Sequence, residues 1–190
     1  MKEEQDRDGD GRFESASTTQ LDATGKPVTT EADTNGDGKP DVIVDFAGGK
    51  KTVQSEDRNG DGKPDVITRF DAAEKPARID EDTDGDGKRE LVTIFEAGAR
   101  VRTEKDANGD GKADLVVSYA GDQILRTEQD TNFDGVMDAA SKVDASGLQI
   151  QETDADGDGR VDTWSGFDGA GKPQIVLSEE DYLGWVDIRS

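Results

Sequence analysis

The sequence repeats one nine-residue acidic motif, D-x-[D/N]-x-D-G-x-x-[D/E], seven times in 190 residues. We number the copies loop 1 to loop 7; they cover 6–14, 33–41, 57–65, 82–90, 106–114, 130–138 and 154–162. Successive copies start 24 to 27 residues apart, which indicates a chain built from one short unit that packs against its neighbours. Oxygen-bearing side chains alternate around a tight glycine turn in each copy, and this is how a chain wraps a calcium ion.

The segments between the motifs are typical of β-hairpins. In the unit that begins at Asp33, residues 42–46 are β-branched or aromatic, 47–50 form a glycine-containing turn, and 51–55 return as a second strand. Connections this short join antiparallel neighbours, and no segment has the apolar period of a helix. We therefore predict an all-β fold: an elongated repeat array of about seven antiparallel hairpins forming a twisted or spiralling meander sheet, with calcium loops along one edge.

An aromatic residue recurs five positions after most motifs. Alternation along the strand places Val42, Val44 and Phe46 on one face of the sheet, and Ile43 and Asp45 on the other. We expect the first face to form a core that a curled sheet encloses, the alternative being a row of rings that stack on a ligand. The aromatic positions are Phe46, Phe70, Phe95, Tyr119 and Phe167.

The repeat predicts one array domain over residues 1–190, with units that start near 6, 33, 57, 82, 106, 130 and 154. Residues 176–190 carry no further motif and concentrate aromatic side chains, including Tyr182 and Trp185. We expect this segment to be a C-terminal cap or a junction to a further domain.

Positions 1, 3, 5, 7 and 9 of each motif are the predicted metal ligands, with position 7 acting through its backbone carbonyl. An EF-hand completes its shell with a glutamate at position 12, but no carboxylate stands there in loops 2 to 7, and the flanks are strands. We therefore assign the bidentate role to position 9. The predicted ligands are Asp6, Asp8, Asp10, Arg12, Glu14, Asp33, Asn35, Asp37, Lys39, Asp41, Asp57, Asn59, Asp61, Lys63, Asp65, Asp82, Asp84, Asp86, Lys88, Glu90, Asp106, Asn108, Asp110, Lys112, Asp114, Asp130, Asn132, Asp134, Val136, Asp138, Asp154, Asp156, Asp158, Arg160 and Asp162.

The sequence thus predicts about seven metal sites, and two of them depart from the pattern. Loop 1 ends in Glu14 and lies near the chain terminus, where fraying is common. Loop 6 has Phe133 where most copies have glycine, and a positive φ there would be strained. We predict calcium rather than magnesium, because a flexible shell made only of oxygen atoms does not require ideal octahedral geometry.

Two family resemblances follow from these residues. The run from Asp106 to Val117, an acidic loop followed by an apolar strand, resembles the calcium loop of integrin-type FG-GAP repeats, which implies calcium held by positions 1, 3, 5, 7 and 9. The segments 70–76, 167–173 and 21–27 resemble the turn of Rhs/YD-repeat proteins, which implies hairpins laid side by side in a spiralling sheet.

The acidic charge is concentrated in the loops. The net charge is −22, and the loops hold 24 of the 45 acidic residues, which leaves 21 acids elsewhere against 23 lysines and arginines. An acidic balance argues against nucleic acid and anionic membranes as partners, and no apolar stretch is long enough for membrane insertion. Cysteine and histidine are absent, so that thiolate metal sites and the usual general base are excluded.

The sequence thus predicts a calcium-binding structural protein, a spacer or adhesive segment that calcium makes rigid. Calcium loops of sensor affinity or weaker would be empty in a resting cytosol, so we expect an extracellular or cell-surface location. The alternative is a calcium-dependent module that binds a surface polysaccharide or a protein, with Trp164, Trp185 and Tyr182 as its platform. We do not expect an enzyme, because no phosphate loop, nucleophile elbow or base–nucleophile pair is present.

Overall fold

A computed structural model describes residues 1–5, 15–144 and 147–178. All the regular secondary structure in these residues is β-strand, which confirms the predicted all-β class. No helix among the described residues is long and apolar enough to cross a lipid bilayer.

Fifteen strands are present in the described part of the chain, and they follow one another in the sheet in chain order as an open antiparallel meander. This is one strand more than the repeat predicts, because the charged segment β1 pairs with β2, from Lys2 opposite Thr18 to Gln5 opposite Ser15. The strands are β1 Lys2–Gln5, β2 Ser15–Leu21, β3 Pro27–Asp33, β4 Val42–Ala47, β5 Lys50–Glu56, β6 Val66–Phe70, β7 Pro76–Glu81, β8 Leu91–Glu96, β9 Ala99–Lys105, β10 Leu115–Ala120, β11 Gln123–Gln129, β12 Ala139–Val143, β13 Gln149–Thr153, β14 Thr163–Phe167 and β15 Pro173–Ser178.

The chain divides into two compact units, Met1–Ala99 and Arg100–Ser190. In the first unit, loops 2, 3 and 4 connect β3 to β4, β5 to β6 and β7 to β8. In the second unit, loops 5, 6 and 7 connect β9 to β10, β11 to β12 and β13 to β14. Since the strands alternate in direction, the three loops of each unit lie at the same strand ends, and the hairpin turns lie at the opposite ends.

The longer hairpin turns are organised by an aspartate. The Asp71 amide donates to Lys75 O at 2.8 Å, while Asp71 Oδ1 accepts the Ala73 and Lys75 amides at 2.8 and 3.0 Å. Glu74 follows in the left-handed region, with φ 59°, where the equivalent turns have glycine. The strand register shifts between Arg69 and Phe70 beside this turn. The aspartate side chain thus accepts main-chain amides of the turn that would otherwise have no hydrogen-bond acceptor in the hairpin.

The apolar core is thin. Among the described residues only two hydrophobic side chains are buried, Val66 and Val116, which are 4% and 3% exposed. The register explains this, because Val44 pairs with Thr30 and Gln54 and so has polar neighbours on both sides. The expectation of an enclosed aromatic face is therefore wrong.

The five aromatic positions themselves are half-buried rather than enclosed. Two of the rings lie beside cationic side chains. Lys51 Nζ is 5.8 Å from the centre of the Phe70 ring, and the Arg100 guanidinium is 3.9 Å from the centre of the Tyr119 ring. Contacts of this kind stabilise a ring while leaving the charged group in water.

Ion pairs between strands stabilise the opposite face of the sheet. Glu152, only 7% exposed, contacts Arg126 at 2.7 Å and Lys142 at 2.5 Å. Asp80, 6% exposed, pairs with Arg69 on the neighbouring strand and with Arg78 on its own strand. Burial raises the pKa of both acids, but the hydrogen bonds and charges of their basic partners outweigh it and hold each pKa below its ordinary value.

Candidate metal centres

Loops 2 to 7 all lie within the described residues and share one backbone conformation. Loop 1, with its predicted ligands Asp6, Asp8, Asp10, Arg12 and Glu14, lies outside them. The loops are short enough for each side chain at positions 1, 3, 5 and 9 to reach main-chain amides of its own loop. The shape of each loop is therefore fixed by its own aspartate, glutamate and asparagine side chains.

Position 1 anchors the turn, as loop 3 illustrates. Asp57 Oδ1 accepts the Gly60 amide at 2.7 Å, and Asp57 Oδ2 accepts the Gly62 amide at 2.8 Å. Next along the loop, Asn59 Oδ1 accepts the Asp61 amide at 2.8 Å, and Asp61 Oδ1 accepts the Lys63 amide at 2.7 Å. The same four bonds recur in the other five described loops. Alternate side chains thus turn their oxygens toward the loop interior.

Position 9 closes the loop by reaching back to its start. Asp65, 7% exposed, accepts the Arg58 amide at 2.5 Å and the Asn59 amide at 3.0 Å through Oδ2. Its Oδ1 accepts the Asn59 side-chain amide at 2.9 Å. In each of the six described loops, the position 9 acid accepts the amide of position 2. This placement brings the last predicted ligand next to positions 1 and 3.

The chain turns tightly within each loop because two of its residues adopt the left-handed backbone conformation. Position 6 is glycine in every described loop, with φ between 86° and 91°. Position 4 has φ between 74° and 80° where it is glycine, and Phe133 adopts φ 63° at the same place in loop 6. The positive φ expected at Phe133 is confirmed. Loop 6 keeps the shared conformation in spite of its side chain.

Two loops bring at least three carboxylates within reach of a single ion. In loop 4, one oxygen each from Asp82, Asp84, Asp86 and Glu90 lie within 4.8 Å of one another. In loop 7, Asp154, Asp156 and Asp158 form such a group, and Asp162 is outside it. These are the described loops with aspartate at position 3; in loops 2, 3, 5 and 6 an asparagine supplies an amide oxygen there instead. The two acidic groups can hold a metal ion.

Loop 5 contains a buried carboxylate oxygen that lacks a partner. Asp114 is 5% exposed, and its Oδ2 accepts the Ala107 amide at 2.6 Å and the Asn108 amide at 3.1 Å. Its Oδ1 is buried and has no hydrogen-bond donor. The equivalent oxygens of Asp41 and Asp65 accept an asparagine side-chain amide at position 3. Since buried charged oxygens are costly without a partner, Asp114 Oδ1 marks a place for a cation or an ordered donor.

Two loop acids, Asp41 and Asp82, have a pKa that their surroundings lower. Burial raises the pKa of Asp82, but hydrogen bonds from the Gly87, Gly85, Asp84 and Asp86 amides lower it further than burial raises it. The pKa of Asp41 is lowered first by the Thr34 hydroxyl and then by the Thr34 amide. A carboxylate with a lowered pKa does not give up a bound cation to protons until the solution is strongly acidic.

Two of the position 7 lysines, Lys63 and Lys112, lie against the next loop, which the motif alone does not predict. Lys112 Nζ donates to Asp134 O of loop 6 at 3.3 Å. A Cβ placed on Gly87 of loop 4 would lie 3.0 Å from Lys63 Nζ. A lysine or arginine at position 7 in six of the seven motifs is the signal that could have indicated these contacts.

The proposed aromatic platform is only partly described. Trp164 lies on β14 and is half-buried, whereas Tyr182 and Trp185 lie outside the described residues. Most of the predicted cap at 176–190 also lies outside them, and residues 176–178 belong to β15. Comparison with family models and with curated proteins finds no match to this chain.

Proposed function

We propose that this protein binds calcium in its acidic loops and uses the bound ions as structural elements of the sheet. The observation that carries the proposal is Asp114 Oδ1, a buried carboxylate oxygen with no donor in a loop whose other oxygens already face inward. A divalent cation bound there would satisfy this oxygen and the remaining lone pairs of positions 1, 3 and 5.

Calcium fits these loops better than magnesium does. Calcium accepts six to eight oxygen ligands at variable angles, and a loop that offers three or four side chains and one carbonyl can supply most of them. Magnesium requires near-octahedral geometry and retains several waters. The acidic groups of loops 4 and 7 also place the most charge where the ion would lie.

A structural role is supported by the thin core. With two buried hydrophobic side chains among the described residues, apolar burial contributes little to holding the strands together. Bound ions would cross-link the two ends of each loop and neutralise the repulsion between its acids. The chain would then act as a calcium-stiffened spacer or adhesive segment outside the cell, without catalytic activity.

Asp114 provides the direct test of this proposal. The variant Asp114→Asn should bind one calcium fewer than the wild-type protein in native mass spectrometry or should bind it at least tenfold more weakly in calorimetry. Asp122→Asn, which removes the same charge from an exposed hairpin turn of the same unit, is the matched control and should leave the ion count unchanged. A wild-type protein that takes up no calcium at millimolar concentration would contradict the proposal.

A second candidate function is calcium-dependent binding of a carbohydrate. A groove on β11, β12 and β13 is lined mostly by hydroxyl and amide side chains, among them Thr127, Ser141 and Gln151, together with two alanines and Glu152. Such groups donate to and accept from sugar hydroxyls. Binding to a glycan array that is lost in Gln151→Ala and in excess chelator would favour this function over a purely structural one.

A further inference from the structure

We propose that calcium binds cooperatively along each series of three neighbouring loops, because a main-chain hydrogen bond links each loop to the next. The first series is loops 2, 3 and 4, and the second is loops 5, 6 and 7. This inference rests on the proposed function, since it requires the loops to be cation sites. It goes further by stating that one occupied loop prepares the next.

The link is a main-chain hydrogen bond between the last residue of one loop and the first residue of the following loop. The amide at position 1 donates to the carbonyl oxygen at position 9 of the preceding loop, at 2.7 to 2.9 Å. The four bonds join Asp57 to Asp41, Asp82 to Asp65, Asp130 to Asp114 and Asp154 to Asp138.

Position 9 therefore holds two loops at once. In loop 6, Asp138 Oδ2 accepts the Thr131 amide at 3.0 Å, and this bond closes loop 6 itself. The carbonyl oxygen of Asp138 accepts the Asp154 amide at 2.8 Å, and this bond fixes the first residue of loop 7. An ion on the Asp138 carboxylate would restrict the dihedral angles of Asp138, so the carbonyl that orients Asp154 would be restricted with it.

The lysine at position 7 adds a second link in the same direction. Lys112 of loop 5 donates to Asp134 O at 3.3 Å, and Asp134 is the position 5 residue of loop 6. The lysine also covers Gly135, so that this turn packs against the preceding loop. Ordering loop 5 would thus order Asp134 and Gly135 of loop 6 as well as the first residue of that loop.

Repulsion between neighbouring ions works against this coupling but is weak. Consecutive loops are two strands apart, roughly 9–10 Å from the spacing of strands in a sheet. That separation is about equal to the Debye length of about 8 Å at physiological ionic strength. When its lysines and arginines are counted, each of loops 2 to 7 carries a net charge between −1 and +1 after taking up one divalent ion, so that little charge remains to repel the neighbouring loop. The hydrogen bond between consecutive loops is therefore the stronger effect, and the coupling between their ion sites is positive.

Trp164 provides a local readout for the test. It lies two residues after the end of loop 7, on β14, so it can sensitise the luminescence of terbium bound in that loop as a calcium substitute. The test variant is Asp130→Asn with Asp134→Asn, which disables loop 6. The matched control is Asp33→Asn with Asp37→Asn, which makes the same charge change in loop 2 of the other unit. Trp164→Phe identifies the loop 7 signal.

We expect disabling loop 6 to weaken terbium binding in loop 7 about tenfold, within the range of 5- to 150-fold that is usual for coupled sites. The loop 2 variant should change it less than about twofold. Equal shifts in both variants, or no shift in either, would overturn the coupling while leaving the proposed function standing. A wild-type protein that binds neither terbium nor calcium would overturn both.

Native mass spectrometry gives an independent measurement on the full chain. At half saturation, coupled loops should give a distribution of ion number broader than a binomial one, with more empty and fully loaded chains, whereas independent loops give a distribution no broader than binomial. Circular dichroism at saturating calcium checks that the loop 6 variant keeps its sheet; if it does not, the single variant Asp134→Asn replaces it. A distribution of ion number no broader than binomial would contradict the inference even if the variants fold poorly.

Discussion

At the residue scale, Phe133 holds a backbone conformation that glycine holds in the other described loops. Its side chain is 51% exposed, so few contacts compensate for the strain at φ 63°. The left-handed region costs a non-glycine residue about 1–2 kcal/mol. The sequence motif identifies this position correctly because the conformation of a nine-residue loop is set by local rules.

We predict that Phe133→Gly stabilises the protein. The strain of about 1–2 kcal/mol is removed, and the greater freedom of glycine in the unfolded chain returns about 0.5–1 kcal/mol of it. The net gain should be about 0.5–1 kcal/mol in urea unfolding. Gly60→Ala, at the same position of loop 3 with φ 77° and open space around its Cβ, should lose about 1 kcal/mol. A loss of stability in Phe133→Gly would show that packing of the ring outweighs the strain.

We also predict that the ion pairs of Glu152 make the sheet sensitive to acid. The pKa of Glu152 is lowered in the folded state, so its contribution is present above the ordinary pKa of 4.5 and is lost as the pH falls through the lower folded value. At pH 7, Glu152→Gln should lower the free energy of unfolding by about 2 kcal/mol.

The measurement for Glu152 is urea unfolding at pH 7 and pH 3 in excess chelator, which removes the contribution of bound metal. The difference between wild type and Glu152→Gln should shrink at the lower pH. Asp122→Asn, an exposed acid in the same unit, is the control and should give a difference near zero at both values. A Glu152→Gln difference that does not change with pH would point to packing rather than to charge.

At the element scale, lysines reach from loop 3 to loop 4 and from loop 5 to loop 6. Gly111 and Gly135 have the same φ of 89°, but a Cβ on Gly111 would meet nothing within 4 Å, whereas one on Gly135 would collide with Lys112. Substituting Gly111 therefore tests backbone strain alone, whereas substituting Gly135 tests the same strain together with the contact between loops.

We predict that Gly135→Ala destabilises the protein more than Gly111→Ala does. Both changes should cost about 1 kcal/mol through positive φ, and Gly135→Ala should also displace Lys112 from Asp134 O. Adding Lys112→Ala should rescue part of the extra loss in Gly135→Ala and leave Gly111→Ala unaffected. Urea unfolding of the four variants measures this, and equal losses in the two glycine variants would show that the lysine moves away without cost.

The elements also show where prediction from the sequence stops. The hairpins, the loops and their inward-facing acids follow from rules that act over nine residues or fewer, and the structure has them as expected. The pairing of Val44 with Thr30 and Gln54 depends on the register between strands, which a single repeat does not encode. The same limit applies to Glu152, whose partners Arg126 and Lys142 lie on two other strands. The expectation that the sheet encloses its aromatic face failed for this reason.

At the scale of the whole molecule, a high net negative charge is combined with a small apolar core. The chain carries a net charge of −22, and among its described residues two hydrophobic side chains are buried. Seven divalent ions would reduce the net charge to about −8, with the reduction confined to the loops. Stability should therefore depend more strongly on cations than it does in a protein with a full apolar core.

We predict that salt partly replaces calcium. In excess chelator, raising the sodium chloride concentration from about 0.01 M to 1 M shortens the Debye length from about 30 Å to about 3 Å. The thermal midpoint should rise as repulsion between loop acids is screened. In saturating calcium the same change should have little effect. A midpoint in chelator that does not respond to salt would show that loop repulsion does not limit stability.

The meander order has a consequence for how the chain folds. Within each unit, strands pair with strands adjacent to them in sequence, and the paired residues are separated by no more than 18 positions. Closing such short loops costs little entropy, and folding is fast when contacts are local. A hairpin can form as soon as its residues are free, without waiting for a distant segment. Assembly can therefore proceed one hairpin at a time from one end of a unit.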